Sequence, residues 1–235
     1  MTTTLITGAN KGLGFETARR LLEAGHTVYV GSRDEERGRR AAERLGARFV
    51  LLDVTDDVSV TAAARTIEAD GGLDVLINNA GIEARDAENR VPVPADTTAD
   101  AVRTVFETNV FGVVRVTHAF LPLLQKSAAP VIVNVSSGLA SLTALSDPAS
   151  PAHFYAGLAY PASKSAVNML TVQYAKAFPQ IRVNAVEPGF TATDLNGRTG
   201  TQTVEEGAEI IVRMALAGED GSTGGYFSAE GPLPW

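Results

Sequence analysis

The stretch Thr3-Thr4-Leu5-Ile6-Thr7-Gly8-Ala9-Asn10-Lys11-Gly12-Leu13-Gly14 decides the fold. Its opening residues, up to Thr7, are β-branched or apolar and read as a buried strand. Gly8, Gly12 and Gly14 then make a tight turn, and an amphipathic helix opens at Gly12. Such a turn lets backbone N–H groups approach a pyrophosphate at the positive end of the helix. An ordinary strand-to-helix turn is the plainer alternative. The position after a first strand favours nucleotide binding, with Asn10, Lys11 and Leu13 completing the turn.

The same rhythm continues along the chain. Short apolar runs at residues 3–7, 27–31, 47–52, 75–78, 131–135, 182–186 and 225–228 alternate with helical patterns at 12–24, 35–45, 58–69, 99–125, 158–178 and 204–216. This alternation predicts an α/β fold, a single doubly wound domain over residues 1–235. Its seven-stranded parallel sheet would be flanked by helices on both faces. Residues 82–100 and 141–157 break the rhythm and read as loops shaping a pocket.

Composition narrows the function. A chain of 235 residues with 45% hydrophobic content can bury one large core. A net charge of -7 without a long basic run argues against nucleic acid or an anionic membrane as partner. The absence of cysteine excludes disulfides, thiolate catalysis and cysteine-ligated metals, and suits a cytoplasmic setting. His26, His118 and His153 are scattered, so no metal is expected. No apolar run reaches the ~18 residues of a membrane span, and the N-terminus lacks a signal-peptide pattern.

Ligands of open parallel sheets bind outside the carboxyl ends of the strands. Beyond the glycine turn, those ends carry Asn78-Asn79-Ala80-Gly81, Ser136-Ser137-Gly138 and Pro188-Gly189-Phe190-Thr191. The second strand ends in Gly31-Ser32-Arg33. A carboxylate there would bond a ribose 2′-hydroxyl, whereas an arginine accommodates a 2′-phosphate. Arg33 and Lys11 both offer charge to a phosphate, which favours NADP(H) over NAD, with Asp34 as the competing acid. Asp53, followed by Val54, either accepts from an adenine amino group or caps the next turn.

Tyr160-Pro161-Ala162-Ser163-Lys164 places a phenol and an ammonium one helical turn apart on the same face. An ammonium about 4 Å away, at an effective dielectric of ~20, favours the phenolate by roughly 4 kcal/mol before desolvation opposes it. On spacing alone the pair reads as a solvated helix face. The glycine turn and the polar strand ends reverse that weighting.

Together these motifs resemble the short-chain dehydrogenase/reductase family. The matching residues are Thr7-Gly8-x-x-x-Gly12-x-Gly14, Asp53-Val54, Asn78-Asn79-Ala80-Gly81, Asn109, Ser137, Tyr160-x-x-x-Lys164 and Pro188-Gly189-x-Thr191. The wording around Lys11, the Ser32-Arg33-Asp34 run and Trp235 look most like its NADPH-dependent carbonyl reductase branch. The resemblance implies a Rossmann fold and reduction of a ketone or aldehyde to an alcohol. It implies that Tyr160 donates the proton and that Lys164 lowers the phenol's pKa and holds the nicotinamide ribose. Ser137 would polarise the carbonyl, and Asn109 would hold a water that links Lys164 to solvent. Asn79, Ala80 and Gly81 would line the cofactor, and Pro188, Gly189 and Thr191 would fix the carboxamide.

The segment between Ser137 and Tyr160 is longer than in compact members of the family, which puts the common tetramer in doubt in favour of a monomer or homodimer. Leu139, Phe154, Tyr155, Phe190 and Leu195 are the expected pocket walls, and they suit a small hydrophobic carbonyl compound. The short stretch from Thr193 to Val204 implies a small lid and an open pocket. A non-catalytic dinucleotide sensor on the same fold is the competing function.

Overall fold

The computed structural model describes residues 1–86, 88–217 and 221–235. β1 (Thr3–Thr7), β2 (Thr27–Ser32), β3 (Arg48–Leu51), β4 (Val75–Asn78), β5 (Val131–Val135), β6 (Arg182–Val186) and β7 (Tyr226–Ser228) run parallel in the order β3-β2-β1-β4-β5-β6-β7. The expected seven strands need one addition. β8 (Gly231–Pro232) turns back antiparallel and pairs Phe227 with Pro232 and Ser228 with Gly231. So short a strand carries no periodic signal, and its proline is tolerated because it lies at the sheet edge.

Helices cover both faces, which explains why the strands are continuous apolar runs. On one face lie α1 (Gly12–Glu23), α2 (Glu35–Leu45) and α8 (Val204–Ala215); on the other lie α3 (Asp57–Ala69), α4 (Ala99–Phe106), α5 (Gly112–Leu124) and α7 (Ala159–Ala177). Neighbouring residues of β1 serve opposite faces. Leu5 packs with Leu76, Phe120 and Ile132, while Ile6 packs with Val30, Ile77 and Ile210. Truncating either to alanine should cost about 2–5 kcal/mol.

The helix expected over residues 99–125 is interrupted. A π-turn, Glu107–Phe111, widens the path between α4 and α5. It buries Thr108, Asn109 and Val110 in succession. Single-turn π-bulges are frequent at functional sites. The segment 141–157 also folds: α6 (Leu142–Ser146) is followed by a 3-10 turn, Pro151–Phe154. Among the described residues no helix is long and apolar enough to cross a membrane. The strand order reverses between β1 and β4, and this opens a crevice at their carboxyl ends.

Candidate active site

The crevice is built from the glycine turn. Gly8 has φ 65°, a conformation that favours glycine. At Gly14 an added Cβ would lie 2.6 Å from Asn79 Nδ2 and 2.9 Å from Ala9 Cα. That close packing brings β1 and β4 together. Asn79 Nδ2 donates to the Thr7 carbonyl at 2.7 Å, and Thr7 Oγ1 accepts from the backbone N–H groups of Asn79 and Ala80, each at 2.9 Å. The Asn79 amide therefore braces the turn.

The N-terminus of α1 has no side-chain cap, whereas Asp34, Asp56, Thr98 and Thr203 cap α2, α3, α4 and α8. Uncapped N–H groups beside a glycine turn fit a phosphate. Lys11 extends from this turn and pairs with Asp194 at 2.8 Å.

At the end of β2 the structure separates the competing residues. Asp34 Oδ1 accepts from the Arg37 N–H at 2.9 Å, and its carboxylate also pairs with the Arg37 side chain. The carboxylate is thus committed to capping α2. Ser32 is buried and bonds the Asp34 backbone, while Arg33 is exposed with no ion-pair partner among the described residues. These features fit a 2′-phosphate better than a free ribose. Asp53 caps its own turn through Oδ1, which accepts from the N–H and hydroxyl of Thr55. Among the described residues Oδ2 has no protein partner.

The reactive corner lies at the end of β5. Ser136 Oγ turns inward and donates to Asn168 Oδ1 at 2.6 Å, whereas Ser137 caps the Gly138–Ala140 turn through its hydroxyl. Lys164 is buried on α7, and its Nζ donates to the Val135 carbonyl at 2.7 Å. A Cβ on Gly81 would lie 3.5 Å from both Lys164 Nζ and Asn109 Oδ1, so β4, the π-turn and α7 meet here. Asn109 bonds both backbone groups of Ile82 and donates to Ser163 Oγ at 3.0 Å. Burial pushes the Tyr160 phenol up, the nearby Ser137 hydroxyl pulls it down, and the charges of Glu83 and Glu187 push it further up. Burial pulls Lys164 down to about 8.

Beyond β6, Thr191 is buried and donates to the Pro188 carbonyl at 3.0 Å, and Gly189 has φ 78°. The cavity beside Tyr160 is walled by Glu83, Val91, Pro92, Thr97, Tyr155 and Leu158, among others. Of the five expected wall residues, Tyr155 lines it. Phe154 is 77% exposed and Phe190 54% exposed. Leu139 and Leu195 are half-buried outside this cavity. The short stretch from Thr193 to Val204 is fastened at two points: Asp194 pairs with Lys11, and the Leu195 carbonyl accepts from Arg85. Glu83 was missed by the sequence reading. The signal was its place two residues past Gly81, still at the mouth of β4.

The short chain dehydrogenase family pattern matches residues 2–204. Short-chain dehydrogenase anuI of Penicillium roqueforti (strain FM164) is 41% identical over 228 residues, covering 91% of this chain and 88% of that protein. (+)-Neomenthol dehydrogenase of Capsicum annuum is 32% identical, covering 95% of this chain and 94% of that protein. The latter alignment spans 298 residues against a chain of 235, so that relative carries insertions absent here. Among solved structures, NADPH-bound carbonyl reductase from chicken fatty liver matches with a TM-score of 0.85 at 28% identity, covering 100% of this chain and 99% of that one. This chain belongs to the short-chain dehydrogenase family.

Proposed function

We propose that this chain reduces a ketone or aldehyde to the alcohol with NADPH, reversibly, as a cytoplasmic monomer or homodimer. The observation that carries the reading is the meeting of Ser137, Tyr160 and Lys164 beside one cavity at the carboxyl edge of the sheet. The relatives named for carbonyl reduction and for neomenthol support the reduction itself.

NADPH, when bound, supplies the hydride. Gly8, Asn10, Lys11, Gly12, Leu13 and Gly14 hold its pyrophosphate, Arg33 its 2′-phosphate, and Asp53 with Val54 its adenine end. Asn79, Ala80 and Gly81 line the crevice, and Pro188, Gly189 and Thr191 seat the carboxamide. Tyr160, kept protonated by burial, donates to the carbonyl oxygen as negative charge develops there. Ser137 bonds the same oxygen and stabilises that charge. Lys164 has three donors, of which one serves Val135. The others would hold the ribose hydroxyls and balance charge that develops on the phenol. Asn109 holds the π-turn along which a water relay from Lys164 would reach solvent.

The test is NADPH consumption against a panel of aldehydes, ketones, quinones and keto-esters, with NADH in parallel. Tyr160→Phe should lower kcat by about 10²–10⁴-fold while NADPH binding persists. Unchanged turnover would sink the assignment of Tyr160, whereas NADPH binding with no turnover of any carbonyl compound would leave a dinucleotide sensor as the better account.

A further inference from the structure

The cavity beside Tyr160 contains a carboxylate that the proposed reduction does not use. Glu83 has a side chain only 8% exposed and faces the same cavity as the phenol. Its Oε1 accepts from the Tyr155 hydroxyl at 2.5 Å, and its Oε2 accepts from Arg85 Nη2 at 2.5 Å. Arg85 in turn donates to the carbonyls of Asn89 and Leu195 at 2.8 and 3.2 Å. Three segments distant in sequence are thereby joined around one carboxylate. Gly157 permits the arrangement, because a Cβ there would lie 2.6 Å from both the Tyr155 ring and Val91.

The chemistry of this wall is specific. An ionised carboxylate accepts at about four lone-pair sites, and two are occupied here. Arg85 balances its charge, so the wall attracts a neutral donor better than a cation. The rest of the lining includes Val91, Pro92 and Leu158, which offer nothing in return. A substrate hydroxyl can donate to one of the remaining lone pairs, a bond that its deoxy analogue lacks.

We propose that Glu83 is a specificity-determining residue that accepts a hydrogen bond from a substrate hydroxyl, so that the preferred substrates are hydroxy-ketones or hydroxy-aldehydes rather than purely apolar carbonyl compounds. Tyr155 supplies the competing donor, and its hydroxyl holds the position until substrate displaces or shares it. This inference rests on the reductase reading and names the substrate class of the same site.

The experiment uses aryl ketones that carry a hydroxyl one, two or three carbons from the carbonyl, each beside its deoxy counterpart. The readout is the ratio of kcat/KM within each pair. The intact protein should favour the hydroxylated member at least tenfold at one spacing. Glu83→Gln keeps the shape, leaves its one oxygen on Arg85 and turns an NH2 donor toward Tyr155 in place of the acceptor, and should bring that ratio within threefold of unity. Tyr155→Phe removes the competing donor, and should raise the ratio. A general loss of structure could not move the two variants in opposite directions. Turnover of ketones with no preference at any spacing, or a preference that survives Glu83→Gln, overturns this inference and leaves the reductase reading intact. No turnover of any carbonyl compound overturns both.

Discussion

The Lys164 ammonium lies over the face of the Tyr160 ring, 5.6 Å from its centre, and donates to the Val135 carbonyl at 2.7 Å. The four-residue spacing does place both groups on one face of α7. Their electrostatics differ from what spacing alone implies. Burial raises the phenol and lowers the amine, so desolvation outweighs the mutual attraction. Tyr160 is therefore held as a proton donor, which suits reduction.

The same burial makes Lys164 costly. Its folded value is pulled from 10.5 to about 8. Between those values the unfolded chain holds a proton that the folded chain has lost, so stability rises with pH across that window. Below it the full penalty is present, up to about 3 kcal/mol. Lys164→Met should therefore lose turnover yet gain about 1–3 kcal/mol at pH 7, the lost Val135 hydrogen bond taking back part of the relief. The gain should fade as pH approaches 10.5. Urea midpoints of both proteins at neutral and alkaline pH measure it. A variant less stable at neutrality would show that the hydrogen bond, not desolvation, dominates.

In the proposed reading, cofactor choice rests on Arg33. The neighbouring carboxylate of Asp34 is committed to Arg37, so Arg33 is the free group at the end of β2. Arg33→Ala should raise the KM for NADPH by about 10–100-fold, the worth of one charge-assisted contact, and leave the KM for NADH nearly unchanged. Initial-rate kinetics with both cofactors decide it. Equal losses with both would move the 2′-phosphate contact elsewhere.

The parts legible in the sequence are those fixed by local pattern. Leu5 and Ile6 each pack into a different core, so β1 reads as a continuous apolar run, and its end at Thr7 fixes where the glycine turn must lie. Reading past each strand end then reached Ser137, Asn79 and Thr191. Glu83 escaped because its role depends on Tyr155, 72 residues later, and on Arg85, which reaches Leu195 across 110 residues. The π-turn escaped for a related reason. Asn109 is drawn toward Ile82 and Ser163 by tertiary contacts, and composition does not encode the extra residue in that turn.

Asp194 competes for Lys11 at the cofactor crevice. The pair is 2.8 Å apart with both side chains exposed, so its own stability is small, about 0.2–1 kcal/mol. Asp194→Asn should free Lys11 and tighten NADPH binding by up to about fivefold, with a steeper salt dependence. Titration of NADPH fluorescence at two ionic strengths reads both effects. Weaker binding would instead show that Asp194 is needed to aim Lys11.

Ser137 is held from behind by an aromatic pair. The Tyr226 hydroxyl donates to the Ser137 carbonyl, and its ring stacks on Trp235 with centroids 5.5 Å apart and planes 19° from parallel. The Trp235 carbonyl accepts from Thr143 Oγ1 at 2.8 Å and from its backbone N–H at 3.1 Å. The aromatic pair therefore ties the start of the Ser137 turn to α6, which follows it. Tyr226→Phe keeps the stack and removes one donor; the Ser137 carbonyl retains the Ala140 N–H at 2.8 Å, so the cost is that of one hydrogen bond, about 0.5–1.5 kcal/mol. A displacement of Ser137 by a fraction of an ångström weakens its bond to the developing oxyanion, so kcat should fall about tenfold or more. The KM for NADPH should stay constant, because the glycine turn and Arg33 lie across the crevice. A rise in that KM with kcat preserved would show that Tyr226 supports the cofactor side of the site and not Ser137.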